Sequence, residues 1–246
     1  FRSRVNTPDR PWSAASHAQR EVPLEADELL REMDAAGVQR TVLIPPSWDA
    51  GRNDLVLAAA QRYPQRFAAM GRLDDKTTSI SKWREQPGML GLRFSSHHVI
   101  GALNAGRLEW VWKEAQDAGI PIMVLVPQES VPLIDRLAQR YPGLKLVLSH
   151  LALTSGKDEE AFRDFDKLLA IAKRPNVAVK ASALPCFTND SYPYRKLHPY
   201  VRRAYNAFGP RRMFWGTDFA RLPCSYREAI TMFTEEMPWL TASDKE

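Results

Sequence analysis

The sequence predicts an α/β chain built on a parallel sheet, and three observations carry that prediction. Seven short apolar runs recur along it, at residues 41–44, 67–73, 90–94, 121–126, 144–149, 177–181 and 213–216. Most are nearly continuous in Val, Ile, Leu, Met and Phe rather than strictly alternating, as strands are when both faces of a parallel sheet are covered. Amphipathic segments lie between them, so that strand, helix, strand is the repeated phrase of the chain. Finally, 246 residues with 44% hydrophobic and 26% charged content suit a single barrel of roughly 250 residues better than two small domains. No linker-like stretch divides the chain, so residues 1–246 are read as one domain. Seven strands alone do not separate a closed eight-stranded barrel from a doubly wound open sheet. Against the dinucleotide-binding version of the latter, no Gly-x-Gly-x-x-Gly follows any strand, and Gly37, Gly71, Gly91, Gly119, Gly143, Gly209 and Gly216 stand singly near strand boundaries.

Each element has its own reason. Leu29, Leu30 and Met33 form one apolar stripe of a helix from about Ala26, and Ala36 with Gly37 closes it before the run at 41–44. Three further runs, at 67–73, 90–94 and 121–126, precede the stripe Val131, Ile134, Leu137, Ala138, which ends at Tyr141, Pro142, Gly143. After the run at 144–149, Phe162, Phe165, Leu168, Leu169 and Ala172 form a third stripe. The runs at 177–181 and 213–216 complete the pattern.

Composition excludes several function classes. Lys plus Arg total 34 against 29 for Asp plus Glu, a net charge of +5, but the basic residues are interspersed with acids. Nucleic-acid binding needs a concentrated basic footprint and is not expected. The positive balance suits an anionic small molecule, or is simply a basic solvated surface. Cys186 and Cys224 make no metal-type pair and no disulfide framework. No run approaches the roughly 20 apolar residues of a membrane span. Arg2, Arg4, Asp9 and Arg10 do not form a signal peptide, and a cytoplasmic location is expected. Trp48, Trp83, Trp110 and Trp112 are either core or interface residues, which leaves a homo-oligomer open.

Two of the runs end in chemistry. Residues 144–149 lead directly into His150, and Met213, Phe214, Trp215, Gly216, Thr217 lead into Asp218. These segments, together with Arg174 to Ser182 and Phe208 to Arg212, resemble the amidohydrolase-superfamily barrels, specifically the branch containing 2-pyrone-4,6-dicarboxylate lactonase and other lactone hydrolases. The resemblance covers the chain from Ala26 to about Phe233. It implies a (β/α)8 TIM barrel in which the seven visible strands are the second to the eighth. The first strand of the family normally carries Asp-x-His-x-His, and no His-x-His exists among His17, His97, His98, His150 and His198. The expectation is that the first strand and the C-terminal tail are absent from this sequence.

The resemblance further implies a hydrolase that opens a lactone or related cyclic ester of an anionic small molecule, in a setting of aromatic degradation. Asp218 would be the general base that takes a proton from water, against the alternative of a helix N-cap. His150 would either polarise the substrate carbonyl or ligate a metal. Arg93 is a candidate anion clamp, against a structural ion pair, and Arg72 invites the same reading. His97, with His98 beside it, would line the pocket or be ordinary loop polarity. Lys180 falls in the family's Val-x-Val-Lys-x-Ser pattern, where decarboxylating relatives are expected to carry histidine. Tyr194, with Tyr192 and Arg195 on the loop at 183–197, would close over substrate. Cys186 lacks a matched base and is not read as a nucleophile. His150 and Asp218 are the only candidate metal ligands at matching positions, so no metal is expected to be required. The alternatives are one divalent ion, Zn or Mn, in a metal-dependent decarboxylase, and a barrel remnant without catalysis.

Overall fold

A computed structural model describes residues 7–8, 22–46 and 53–245. In chain order the elements are α1 (Ala26–Ala35), β1 (Thr41–Leu43), α2 (Asp54–Arg62), β2 (Phe67–Gly71), β3 (Met89–Phe94), α3 (Ser96–Asn104), α4 (Glu109–Asp117), β4 (Ile122–Val124), α5 (Val131–Arg140), β5 (Leu146–Leu148), α6 (Asp158–Ala161), α7 (Phe165–Ala170), β6 (Val177–Ser182), α8 (His198–Phe208), β7 (Met213–Gly216) and α9 (Tyr226–Thr234). The seven strands pair in sequence order, each parallel to the next. Residues from all seven line one cavity, so the sheet curls around a common lumen. This is the α/β barrel architecture expected from the sequence.

The curl is left open at one seam. Among the described residues β1 and β7 form the two edges of the sheet, and Val42 and Phe214 on those strands are 42% and 47% exposed. A barrel closes when every strand is paired on both sides. Among the described residues the sheet has seven strands and stays unclosed between β1 and β7.

The strands sit where apolar content requires. Leu92, Ile122, Val124, Leu146, Leu148, Val177 and Val179 are almost wholly buried beneath the helices. Val131, Ile134, Leu137 and Ala138 bury one face of α5 as the stripe predicted, and α1 ends at Ala36 with Gly37 at φ 72°, a conformation that suits glycine. Trp83 and Trp112 are core residues; Trp48 lies outside the described residues. Of the third stripe Phe162, Phe165 and Leu168 are buried and Leu169 and Ala172 partly so, but the backbone divides into α6, α7 and a 3₁₀ turn at Ile171–Lys173. Phe162 stacks on Tyr200 of α8 at 3.7 Å between ring centroids, with Phe165 edge-on to the same ring, so aromatic packing sets this segment. Helix α9 opens with a reciprocal capping box between Ser225 and Glu228.

The end of the barrel opposite the catalytic candidates is tied by side chains. Asn176 Nδ2 donates to the carbonyls of Ala138, Tyr141 and Leu144, closing the C-terminal turn of α5. Arg212 Nη1 donates to Ala172, Arg174 and Val177. Among the described residues no helix is long and apolar enough to cross a membrane.

Candidate active site

Side chains in a strand alternate between faces, and the inward register can be followed to its C-terminal end. In β6 the cavity-lining positions include Ala178, Lys180 and Ser182, and along β7 they include Phe214, Gly216 and, two residues on, Asp218. Arg72 likewise follows Ala68 and Met70. The charged groups thus gather at the end of the lumen where parallel barrels carry their chemistry. The cavity has a volume of about 1280 Å³ and runs most of the barrel's length.

His150 and Asp218 meet there. Nε2 of His150 lies 3.6 Å from Oδ2 of Asp218, and the Asp218 side chain is 31% exposed while the imidazole is buried. Both residues have left-handed backbone conformations, φ 54° at His150 and φ 57° at Asp218, and Leu151 and Ala152 continue the left-handed run after His150. Non-glycine residues hold such angles at an energetic cost, and they persist where surrounding structure enforces them. Here the turns direct both side chains off the strand ends into the mouth. On the other side of the imidazole, Nδ1 lies 2.8 Å from the Ser182 hydroxyl.

Three cations surround this pair. Arg93 and Arg72 are buried and Lys180 is half-buried. Among the described residues no carboxylate stands within ion-pair distance of any of them, although Asp218 acts on Arg93 and Lys180 from farther away. One Arg93 N–H donates to the Phe94 carbonyl, while its Nε has no partner among the described residues. Asn53 holds the backbone of Arg72 from both sides, donating to its carbonyl at 2.9 Å and accepting from its N–H at 2.8 Å. Arg221 stands 3.7 Å from Asp218.

The protonation states follow from this crowding. Burial lowers the Arg93 guanidinium to about 10, with Arg72 adding to the effect and Asp218 opposing it. Burial likewise brings Lys180 down to about 8, assisted by Arg93. Burial lowers His150 to about 3 against the pull of Asp218, so the imidazole is neutral at physiological pH. Burial works to raise Asp218, but nearby positive charge, that of Arg221 and Lys180 included, outweighs it and holds the carboxyl below its ordinary value. The result is an ionised acceptor next to a neutral imidazole in a positive setting.

The remaining candidates divide. Arg72, Arg93 and Lys180 line the cavity with His150 and Asp218. Tyr194 is buried against Tyr192, edge-on at 6.0 Å, and is not among the residues that line the cavity. Its loop is pinned, since Lys157 donates to the carbonyls of Cys186 and Thr188 and Tyr192 hydrogen-bonds Thr231. The backbone at His97 belongs to α3 rather than to a loop, while the side chains of His97 and His98 lie outside what the structure describes. Burial pushes the Cys186 thiol up to about 11, away from nucleophilic thiolate. Sequence reasoning gave no role to Ser182, Asn53 or Arg221. Ser182 was within reach of it, since it stands two residues beyond Lys180 on the same strand face.

A metal ion does not fit the donors described. Among the described residues no group of three or more His, Cys, Asp or Glu side chains is placed to hold one. His150 and Asp218 are two ligands where zinc takes three or four protein ligands, and Arg93, Lys180 and Arg221 would repel a further cation.

Comparison with known proteins agrees with the geometry. The chain is 25% identical over 240 residues to L-fucono-1,5-lactonase of Burkholderia ambifaria, covering 88% of this chain and 80% of the relative. It is 26% identical over 209 residues to 4-sulfomuconolactone hydrolase of Hydrogenophaga intermedia, covering 78% and 64% respectively. An amidohydrolase of Burkholderia multivorans, solved with bound zinc, superposes with a TM-score of 0.77 at 21% identity, over 91% of this chain and 84% of that one. The profile of the amidohydrolase family matches residues 4–235, so that strand order, the histidine after β5 and the aspartate after β7 all fall within the matched span. The chain belongs to the amidohydrolase family.

Proposed function

We propose that this chain hydrolyses a lactone or related cyclic ester of an anionic small molecule, without an obligatory metal. The observation that carries the reading is the meeting of His150 and Asp218 at a cavity mouth beside cations that have no acid partner within ion-pair distance among the described residues. A buried guanidinium without a counterion is costly, and a substrate carboxylate or sulfonate would supply the missing charge. The lactonase relatives support the same reading.

The groups divide the reaction as follows. Arg93, with Arg72 and Lys180 beside it, holds the substrate's acid group and orients the ring. The carboxylate of Asp218 accepts a proton as water adds to the carbonyl carbon. His150, neutral, donates a hydrogen bond to the carbonyl oxygen as that oxygen gains negative charge. The ring C–O bond then breaks, Asp218 returns the proton to the departing alkoxide, and a hydroxy acid results. Protons and charge balance without a further reactant.

The test is turnover of a panel of lactones with and without an acid substituent, after prolonged chelation of the protein. Turnover of the acidic members by chelated protein is expected. Complete loss on chelation with recovery on adding zinc or manganese would replace this reading with a metal-dependent one.

A further inference from the structure

A neutral imidazole carries hydrogen on only one of its nitrogens, and at His150 which one decides what the ring can do. On the Nδ1 side stands the Ser182 hydroxyl at 2.8 Å. On the Nε2 side stands the Asp218 carboxylate at 3.6 Å. An ionised carboxylate only accepts, whereas a hydroxyl can donate or accept. With hydrogen on Nε2, the N–H faces the carboxylate and the serine donates to the lone pair of Nδ1. With hydrogen on Nδ1, the lone pair of Nε2 would face a carboxylate and the buried serine hydrogen would have no partner among the described residues. The first arrangement turns the N–H toward the carboxylate and gives the serine hydrogen an acceptor, and the second leaves both groups in conflict.

We infer that Ser182 is a positioning residue that fixes His150 with its hydrogen on Nε2, so that the imidazole enters the cavity mouth as a donor rather than as a base or a metal ligand. The fold reserves space for this contact. Ser182 ends β6 paired with Gly216 of β7, and a Cβ at Gly216 would come within 3.2 Å of the Ser182 Cβ. The bare glycine lets the serine keep its orientation toward the ring. The left-handed turn at His150 holds the ring between its two partners.

The inference rests on the hydrolytic reading for its catalytic meaning, but the tautomer can be observed without substrate. Nitrogen-15 NMR of the whole chain labelled at histidine, with the His150 signals assigned by their loss in His150→Gln, reads the protonated nitrogen directly. Hydrogen on Nε2 is expected in the unaltered protein. Ser182→Ala should give a mixture of tautomers and lower kcat by about tenfold with KM little changed, the effect of losing one buried hydrogen bond. Ser182→Cys, which keeps a donor of similar shape, should recover part of both. Hydrogen on Nδ1 in the unaltered protein overturns the inference, whether or not Ser182→Ala folds. A Ser182→Ala protein with unaltered tautomer and kcat overturns it too. Absent turnover on every lactone, with hydrogen found on Nε2, counts against the hydrolytic reading alone.

Discussion

Nε2 of His150 lies 3.6 Å from the Asp218 carboxylate, so the loops after β5 and β7 bring a neutral donor and an ionised acceptor to the same mouth. Proton transfer by Asp218 is the step most exposed to substitution. Asp218→Asn keeps the shape and removes the base, and kcat on an acidic lactone should fall by about 10²–10⁴-fold with little change in KM. Steady-state kinetics on purified protein decide it, and an unaltered kcat removes Asp218 from the mechanism.

Arg93 is expected to trade stability for binding. Arg93→Met keeps the stem and removes a buried cation that has no carboxylate within ion-pair distance among the described residues. The Phe94 carbonyl it leaves is still hydrogen-bonded by the Leu125 N–H at 2.9 Å. KM for an acidic lactone should rise by about 10–100-fold. The melting temperature of the ligand-free protein should rise by about 3–6 °C, the shift that about 1.5 kcal/mol makes in a chain of this size. Calorimetry showing a fall instead would mean that an unseen acid partner holds Arg93.

Lys180 gives the pH profile its alkaline limb. Its folded value is lowered from 10.5 to about 8 by burial and by Arg93, so the ammonium is present below that pH and lost above it. For an anionic lactone kcat/KM should decline as pH rises through about 8, after correction for spontaneous hydrolysis. In Lys180→Met the whole profile should be lower and that decline absent. A decline that survives in the variant belongs to another group.

Gly216→Ala tests the close approach of β6 and β7. Its new Cβ meets the Ser182 side chain at 3.2 Å, tighter than ordinary contact, so the serine has to shift away from His150. A reduction of kcat by about tenfold with a stability change under about 1 kcal/mol is expected, measured by kinetics and urea titration together. Full activity would show that the hydroxyl has room to move without losing the imidazole.

Asn176→Ala addresses the opposite end of the molecule. Losing the donor to three carbonyls at the end of α5 should cost about 2 kcal/mol in denaturant unfolding while leaving kcat in place.

Much of this was legible in the sequence because burial on both faces leaves an uninterrupted apolar run, and all seven such runs became neighbouring parallel strands. The strand-end positions of His150, Asp218 and Arg72 followed from the same reading, as a barrel places its chemistry at one rim. The packing of Tyr194 was not legible, because the length of a loop says nothing of what its rings touch. The Tyr194 ring packs beside Tyr192, and the loop is fastened by Lys157, which no local pattern reveals. Ser182 and Asn53 escaped because their significance lies in a partner far along the chain: a hydroxyl gains a role only once the imidazole is beside it, and Asn53 only once the Arg72 backbone is. The break between α6 and α7 was hidden for a related reason, since Tyr200 lies on a later helix.

Asn176 and Arg212, each grasping three carbonyls at the far rim, divide the molecule's labour along its axis. These two clasps stand at one pole and the reactive groups at the other, with the length of the strands between them. Engineers could therefore harden the first pole by substitution while diversifying the second for new esters, and expect the two sets of changes to combine nearly independently.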